Sequence, residues 1–147
     1  MTAAPSTLVG RDPSEILPHG SAFLFVDEIL AVDARSIRTA RHVPPREPWT
    51  DAHFPDEAMV PGVLLLEGMA QTCGLLARAV LGASGRGKRG VLATVRTAKF
   101  LRPVRPLERI VYDAALLARM DGHLRFEAVA HVDDTRVAEA GISLAIG

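Results

Sequence analysis

The chain has 147 residues, of which 48% are hydrophobic and 23% charged, with 17 basic side chains against 17 acidic ones. That length fits one domain with a real core. A net charge of zero argues against a nucleic-acid-binding surface and leaves any electrostatic recognition to a local patch. The one cysteine, Cys73, has no intrachain disulfide partner and suits a reducing, cytoplasmic setting as a small buried residue.

The first twenty residues, MTAAPSTLVGRDPSEILPHG, hold three prolines and lack the basic start and apolar core of a secretory signal. A loosely ordered arm is expected over residues 1–15, with a helical turn near 13–16 and regular structure beginning near Ala22. Segments 23–32 and 36–43 are rich in branched and aromatic residues and flank a turn at Asp33-Ala34-Arg35, which predicts a hairpin. Five prolines between Pro44 and Pro61 then impose an irregular loop that carries Trp49, His53 and Phe54.

Pro61 fits the first turn of a helix, because the amide hydrogen it lacks has no partner there in any case. The helix is expected to end near Leu81. Its sequence, VLLLEGMAQTCGLLARAVL, is apolar nearly all round, so it must be enclosed. Glu67, Gln71, Thr72 and Arg78 interrupt it, which argues against a membrane span. A Gly-rich basic turn follows at 83–90, then strand-like segments at 91–100, 109–119, 124–132 and 137–146, with turns at Met120-Asp121-Gly122 and Asp133-Asp134. The order predicts an α+β domain over 1–147, with one helix packed on a face of an antiparallel sheet and no internal repeat.

Four blocks, ILPHGSAFLFVDEI, AHFPDEAMVPGVLLLEGMAQ, AKFLRPVRP and VAEAGISLAI, carry a family likeness. In order and spacing the chain resembles the FabZ-type 3-hydroxyacyl-[acyl-carrier-protein] dehydratases from about Ile16 to its C-terminus. The resemblance implies the hot-dog fold, a curved antiparallel sheet wrapped around one long helix, in agreement with the layout read from pattern alone. It also implies that His53, in the HFP motif, and Glu67, fourteen residues later, are the catalytic pair.

Such an elimination needs a base for the proton beside the thioester carbonyl and an acid for the departing hydroxyl. A neutral His53 beside apolar Phe54 suits the first role. The apolar neighbours of Glu67 favour the protonated carboxyl that the second requires. The first free helix amides, at Gly62 and Val63, suit an enolate-like oxygen, and a glycine at 62 lets the thioester come close. Phe54, Pro61 and Gln71 complete the expected substrate-binding set. His19 belongs to the LPH motif; His42, His123 and His131 read as ordinary strand or turn residues.

Residues 86–109 carry eight cations against Glu108 alone. Arg96, Lys99, Arg102 and Arg105 are the expected docking residues for acidic acyl carrier protein and its phosphopantetheine arm. The resemblance further implies at least a dimer, with His of one subunit facing Glu of the other; many members group three dimers into a hexamer. The elimination needs no metal or redox cofactor, and the sequence has neither a ligand cluster nor a dinucleotide fingerprint.

The family usually has arginine where Gly20 stands, glycine at Ala52, alanine at Gly68, and Pro-Gly-Asp where this chain has Pro106-Leu107-Glu108. These departures leave a specialised acyl or polyketide substrate open beside primary fatty acid synthesis. Related hot-dog functions are acyl thioesterases, dehydratase-isomerases and non-catalytic acyl-binding modules. Glutamate at 67 favours simple dehydration.

Overall fold

The computed structural model describes residues 5–147. The long apolar segment forms α1 (Gly62–Leu81), begun by Pro61 at φ −55° and stopped by Gly82 at φ 52°, a left-handed value that suits glycine. By length and composition α1 is apolar enough to cross a membrane. Here ten of its residues between Leu65 and Ala77 are buried inside the protein.

The strands are β1 (Glu28–Val32), β2 (Ser36–His42), β3 (Gly90–Phe100), β4 (Arg109–Met120), β5 (His123–Val132) and β6 (Thr135–Ile146). They form one antiparallel sheet in the order β1-β2-β4-β5-β6-β3. This is the hot-dog architecture. Alternate residues of β5 (Leu124, Phe126, Ala128, Ala130, Val132) are buried, as a strand with one face on a core requires. They meet Met69, Cys73, Leu75 and Leu76 of α1 in one cluster with Tyr112 of β4 and Ile142 of β6. The turns at Asp121-Gly122 and Asp133-Asp134 connect neighbouring strands as expected, with Gly122 at φ 70° and Asp133 at φ 51°.

Two expectations need correction. The first strand does not begin near Phe23: a 3-10 turn spans Ser21–Phe23, and β1 starts at Glu28. The cause is a side chain, because the Gln71 amide donates to the Phe23 carbonyl and accepts from the Phe25 amide, which takes both groups out of any ladder. The N-terminal arm is also more closely held than its prolines suggest. Leu8 and Leu17 are buried in the core cluster, the Gly10 amide donates to the Ile29 carbonyl, and a 3-10 turn at Pro13–Glu15 is capped by Asp12. Residues 1–4 of that arm lie outside the described residues.

The departures at 68 and 107 have physical accounts. A Cβ on Gly68 would fall on the Tyr112 hydroxyl and 2.5 Å from Tyr112 Cζ, so the buried tyrosine fills the volume an alanine methyl would take. Arg105-Pro106-Leu107-Glu108 closes a β-turn through Glu108 N–H to the Arg105 carbonyl, with Leu107 at φ 73°. That turn position favours glycine, and a leucine there carries the left-handed penalty.

Both accounts can be checked by denaturant unfolding. Gly68→Ala is expected to destabilise the fold by about 1–3 kcal/mol through overpacking. Adding Tyr112→Leu should make the double variant more stable than the sum of the two single losses; simple additivity would refute the contact. Leu107→Gly, which removes a largely exposed side chain, should raise stability by about 1 kcal/mol.

Candidate active site

The proline-rich loop after β2 is fixed by a buried ion pair. Arg41 of β2, 4% exposed, pairs with Glu47 and lies 4.8 Å above the Phe25 ring. Glu47 also accepts from the Trp49 indole (3.0 Å), and its own amide donates to Thr50 Oγ1 (2.7 Å). The Trp49 carbonyl in turn accepts the His53 amide at 2.8 Å, while the His53 carbonyl accepts the Met59 amide at 2.9 Å. His53 is thus held on both sides by its backbone, and its ring stacks on Phe54 at 4.2 Å between centroids. The His53–Phe54 peptide bond is cis.

His53 Nδ1 lies 3.0 Å from the Met59 carbonyl oxygen. A carbonyl only accepts, so Nδ1 carries a hydrogen, and Nε2 is the nitrogen left without one in the tautomer that this bond selects. That tautomer is the one a general base needs.

Glu67 projects from the second turn of α1. Its side chain is 23% exposed, and its Oε2 accepts from Gln71 Nε2 at 2.9 Å with His19 Nε2 at 3.5 Å. The wholly apolar setting expected for this carboxyl is therefore corrected. Two polar groups converge on Oε2, and Oε1 has no partner among the described residues. His19 Nδ1 is buried without a hydrogen-bond partner among them.

Gln71 is 1% exposed, and both ends of its amide are engaged with Phe23, Phe25 and Glu67. It lines the cleft beside Glu67, where it orients that carboxyl and pins the preceding segment to the helix. Sequence reasoning missed this role, and it left His19 without one. The LPH motif was the available signal.

At the start of α1 the Leu64 and Leu65 amides donate to the Pro61 carbonyl. Those of Gly62 and Val63 have no acceptor among the described residues, which leaves them available as expected. The Phe100 ring packs over the same glycine, 3.2–3.4 Å from where a Cβ would stand. Glycine there gives that ring room. Phe54 and Val63 are exposed, at 47% and 70%, on the rim.

His53 and Glu67 form no hydrogen bond or ion pair with each other within the chain. Glu67, Gln71 and His19 line one end of a cleft of about 860 Å³ whose walls do not include His53. Cys73 is fully buried, and burial pushes its thiol well above the ordinary range, which suits packing and not nucleophilic chemistry.

The expected carrier-docking cations are mostly engaged inside the chain. Lys99 pairs with Glu139 (3.8 Å), Arg102 with Glu108 (3.0 Å) and Arg105 with Glu57 (2.7 Å). The Arg102 guanidinium, with the Arg105 amide, holds the Glu108 carboxyl below its usual range. Arg96 packs beside Gly141.

A curved sheet around a buried helix that carries a glutamate, with a loop histidine fixed through its backbone and Nδ1, defines a hot-dog protein with the side chains of acid-base chemistry. The FabA-like domain family matches residues 17–141, and the chain belongs to it. It is 36% identical to the 3-hydroxyacyl-[acyl-carrier-protein] dehydratase FabZ of Pectobacterium atrosepticum, over 99% of this chain and 97% of that one. Its identity with the enzyme of the same name from Salmonella newport is 37%, over 95% and 93%. In fold it is similar to the dehydratase heterocomplex ApeI:P of Xenorhabdus doucetiae (TM-score 0.79, 15% identity, covering 93% and 91%). It is also similar to a thioesterase of Pseudomonas aeruginosa, PA1618 (TM-score 0.62, 16% identity, covering 81% and 79%).

Replacing Gln71 by leucine tests its assigned role. The change leaves the Phe25 amide and Phe23 carbonyl without partners and is expected to destabilise the fold by about 2 kcal/mol or more in a denaturant melt. It should also lower turnover by releasing Glu67. Wild-type stability and rate would refute both assignments.

Proposed function

We propose that the chain is a 3-hydroxyacyl-[acyl-carrier-protein] dehydratase of fatty acid or related acyl biosynthesis, in which His53 is the base and Glu67 the acid. The observation that carries this reading is the pair of fixed side chains. His53 is held through Nδ1 with Nε2 free of any partner among the described residues, and Glu67 is held by Oε2 with Oε1 free.

His53 Nε2 takes the proton from the carbon beside the thioester carbonyl. That electron pair becomes the new carbon–carbon double bond as the bond to the 3-hydroxyl breaks. Glu67 Oε1–H protonates the departing oxygen, and water leaves. The Gly62 and Val63 amides, at the positive end of α1, stabilise the charge that gathers on the carbonyl oxygen. Atoms and electrons balance with these groups alone, so the reaction as written calls on no cofactor. The substrate's phosphopantetheine belongs to the carrier protein.

Two copies of the chain are required in this reading. His53 and Glu67 do not meet within one chain, and β3 offers a means of association. Among the described residues it pairs only with β6, all eleven of its residues are exposed, and Val91, Leu92, Val95 and Phe100 lie along it. A long apolar edge strand invites pairing with another chain. A cytoplasmic homodimer, with His53 of one subunit facing Glu67 of the other, covers that edge and completes two sites.

The test follows gain or loss of one water by mass spectrometry on 3-hydroxyacyl and trans-2-enoyl carrier-protein thioesters. Turnover should fall by about 10²–10⁴-fold in His53→Ala and in Glu67→Gln. When the two variants are mixed under conditions of subunit exchange, heterodimers carry one intact site, and about a quarter of wild-type activity should return. No recovery would place both residues in one chain's site. Release of free thiol without water loss would make the protein a thioesterase.

A further inference from the structure

The cleft that begins at Glu67 has a second end. It runs along the stripe of α1 formed by Ala70, Gly74 and Ala77, residues spaced to lie on one helix face, and meets Leu144 and Ile146 of β6 on the opposite wall. At the far end it is lined by Arg78, in the last turn of α1, and by Lys88 and Arg89, in the basic turn before β3. Arg78 lies eleven residues beyond Glu67, about 16 Å along the helix axis.

Among the described residues, none of these three cations has a carboxylate within ion-pair distance, in contrast to Lys99, Arg102 and Arg105. Glu67 carries the one side-chain carboxylate among the described residues that line the cleft. Arg78 has a local reason to be where it is, the negative end of the helix. Lys88 and Arg89 have none. Their turn is nevertheless fixed, because the Arg89 amide and carbonyl bond reciprocally to Gly147 at 2.8 and 3.0 Å and the Lys88 amide donates to Gly85. Like charges brought to one opening repel each other unless an anion joins them.

We propose that this cleft holds the acyl chain of the substrate and that Arg78, Lys88 and Arg89 receive an anionic group at the chain's far end. The proposal rests on the dehydratase reading for the position of the reacting carbon beside Glu67. The walls decide which part of the substrate lies here. Small and aliphatic side chains suit an alkyl chain, whereas the amides of a pantetheine arm would be desolvated against them without partners. The substrate class is therefore a long acyl thioester with an acidic terminus, distinct from a short or methyl-ended chain that leaves the cationic end unfilled.

The experiment compares kcat/KM on three carrier-bound 3-hydroxyacyl thioesters: a short methyl-ended chain, a long methyl-ended chain, and a chain of the same length ending in carboxylate. Wild-type protein should prefer the carboxylate-ended chain over its methyl-ended counterpart by about tenfold, the equivalent of one net charge-assisted contact. A triple variant, Arg78→Gln with Lys88→Gln and Arg89→Gln, should lose that preference and keep its rate on the short chain. Equal rates on the two long chains in wild type, or a preference that survives in the triple variant, would overturn the proposal.

A uniform loss on all three substrates, absent with N-acetylcysteamine thioesters, would also overturn it and assign the cations to the pantetheine phosphate. Short-chain turnover separates the two readings, since it tests the dehydratase alone. Binding of the two long chains as saturated, unreactive pantetheine thioesters reads the cleft without chemistry. Discrimination there by an inactive protein would uphold the cleft assignment and refute only the dehydratase.

Discussion

A helix that is apolar on nearly every face has no orientation in which it can lie on a protein surface. α1 solves this by being wrapped, and the curved sheet exists around it as much as it exists around the sheet. The consequence reaches the polar groups on its enclosed turns, because each one enters the interior and must find a partner there. Thr72 meets Thr39 of β2 and the Gly68 carbonyl. Gln71 reaches the backbone at Phe23 and Phe25. Glu67, nearer the open end, is held by Gln71 and approached by His19 while one oxygen remains free. The orientation of the Glu67 carboxyl is thus an outcome of enclosing the helix.

The histidine is supplied by a different strategy. Five prolines keep residues 44–61 out of regular structure, so backbone ladders cannot position His53. A buried arginine does so instead. Arg41 lies on β2 inside the sheet, its charge is met by Glu47, and Glu47 gathers the Trp49 indole in the same loop. An arrangement of this kind is demanding, since removal of either charge leaves the other buried and unpaired. It also gives the loop a single conformation in which the His53 amide, carbonyl and Nδ1 are all engaged and only Nε2 is offered.

How much of this was legible in the sequence follows from the range of each interaction. The helix ends, five of the six strands and the turns were readable because proline, glycine and alternating burial act locally. β1 was not, because residues 23–27 have a strand's composition and are diverted by a glutamine 46 positions beyond Phe25. The same distance hid the role of Gln71, which as a sequence letter looks like a donor for substrate. Glu67 was legible as a functional residue through its motif, while its polar company was not, because His19 arrives from another segment. Gly62 and Gly68 were visible as glycines, but only packing reveals that one admits the Phe100 ring and the other the Tyr112 hydroxyl.

Charge gives the clearest case of sequence neighbours that do not act together. Residues 86–109 read as one cationic run, yet the fold divides it. Carboxylates from the loop after His53, from the turn before β4 and from β6 come within reach of Arg105, Arg102 and Lys99, and exposed pairs of this kind are nearly neutral in effect. The basic turn ahead of β3 receives no such partner among the described residues. Two stretches of equal charge in the sequence therefore differ in what they can attract, because only one of them keeps its field. That difference is set by which carboxylates the topology brings near, and it falls at the end of the cleft that starts from Glu67.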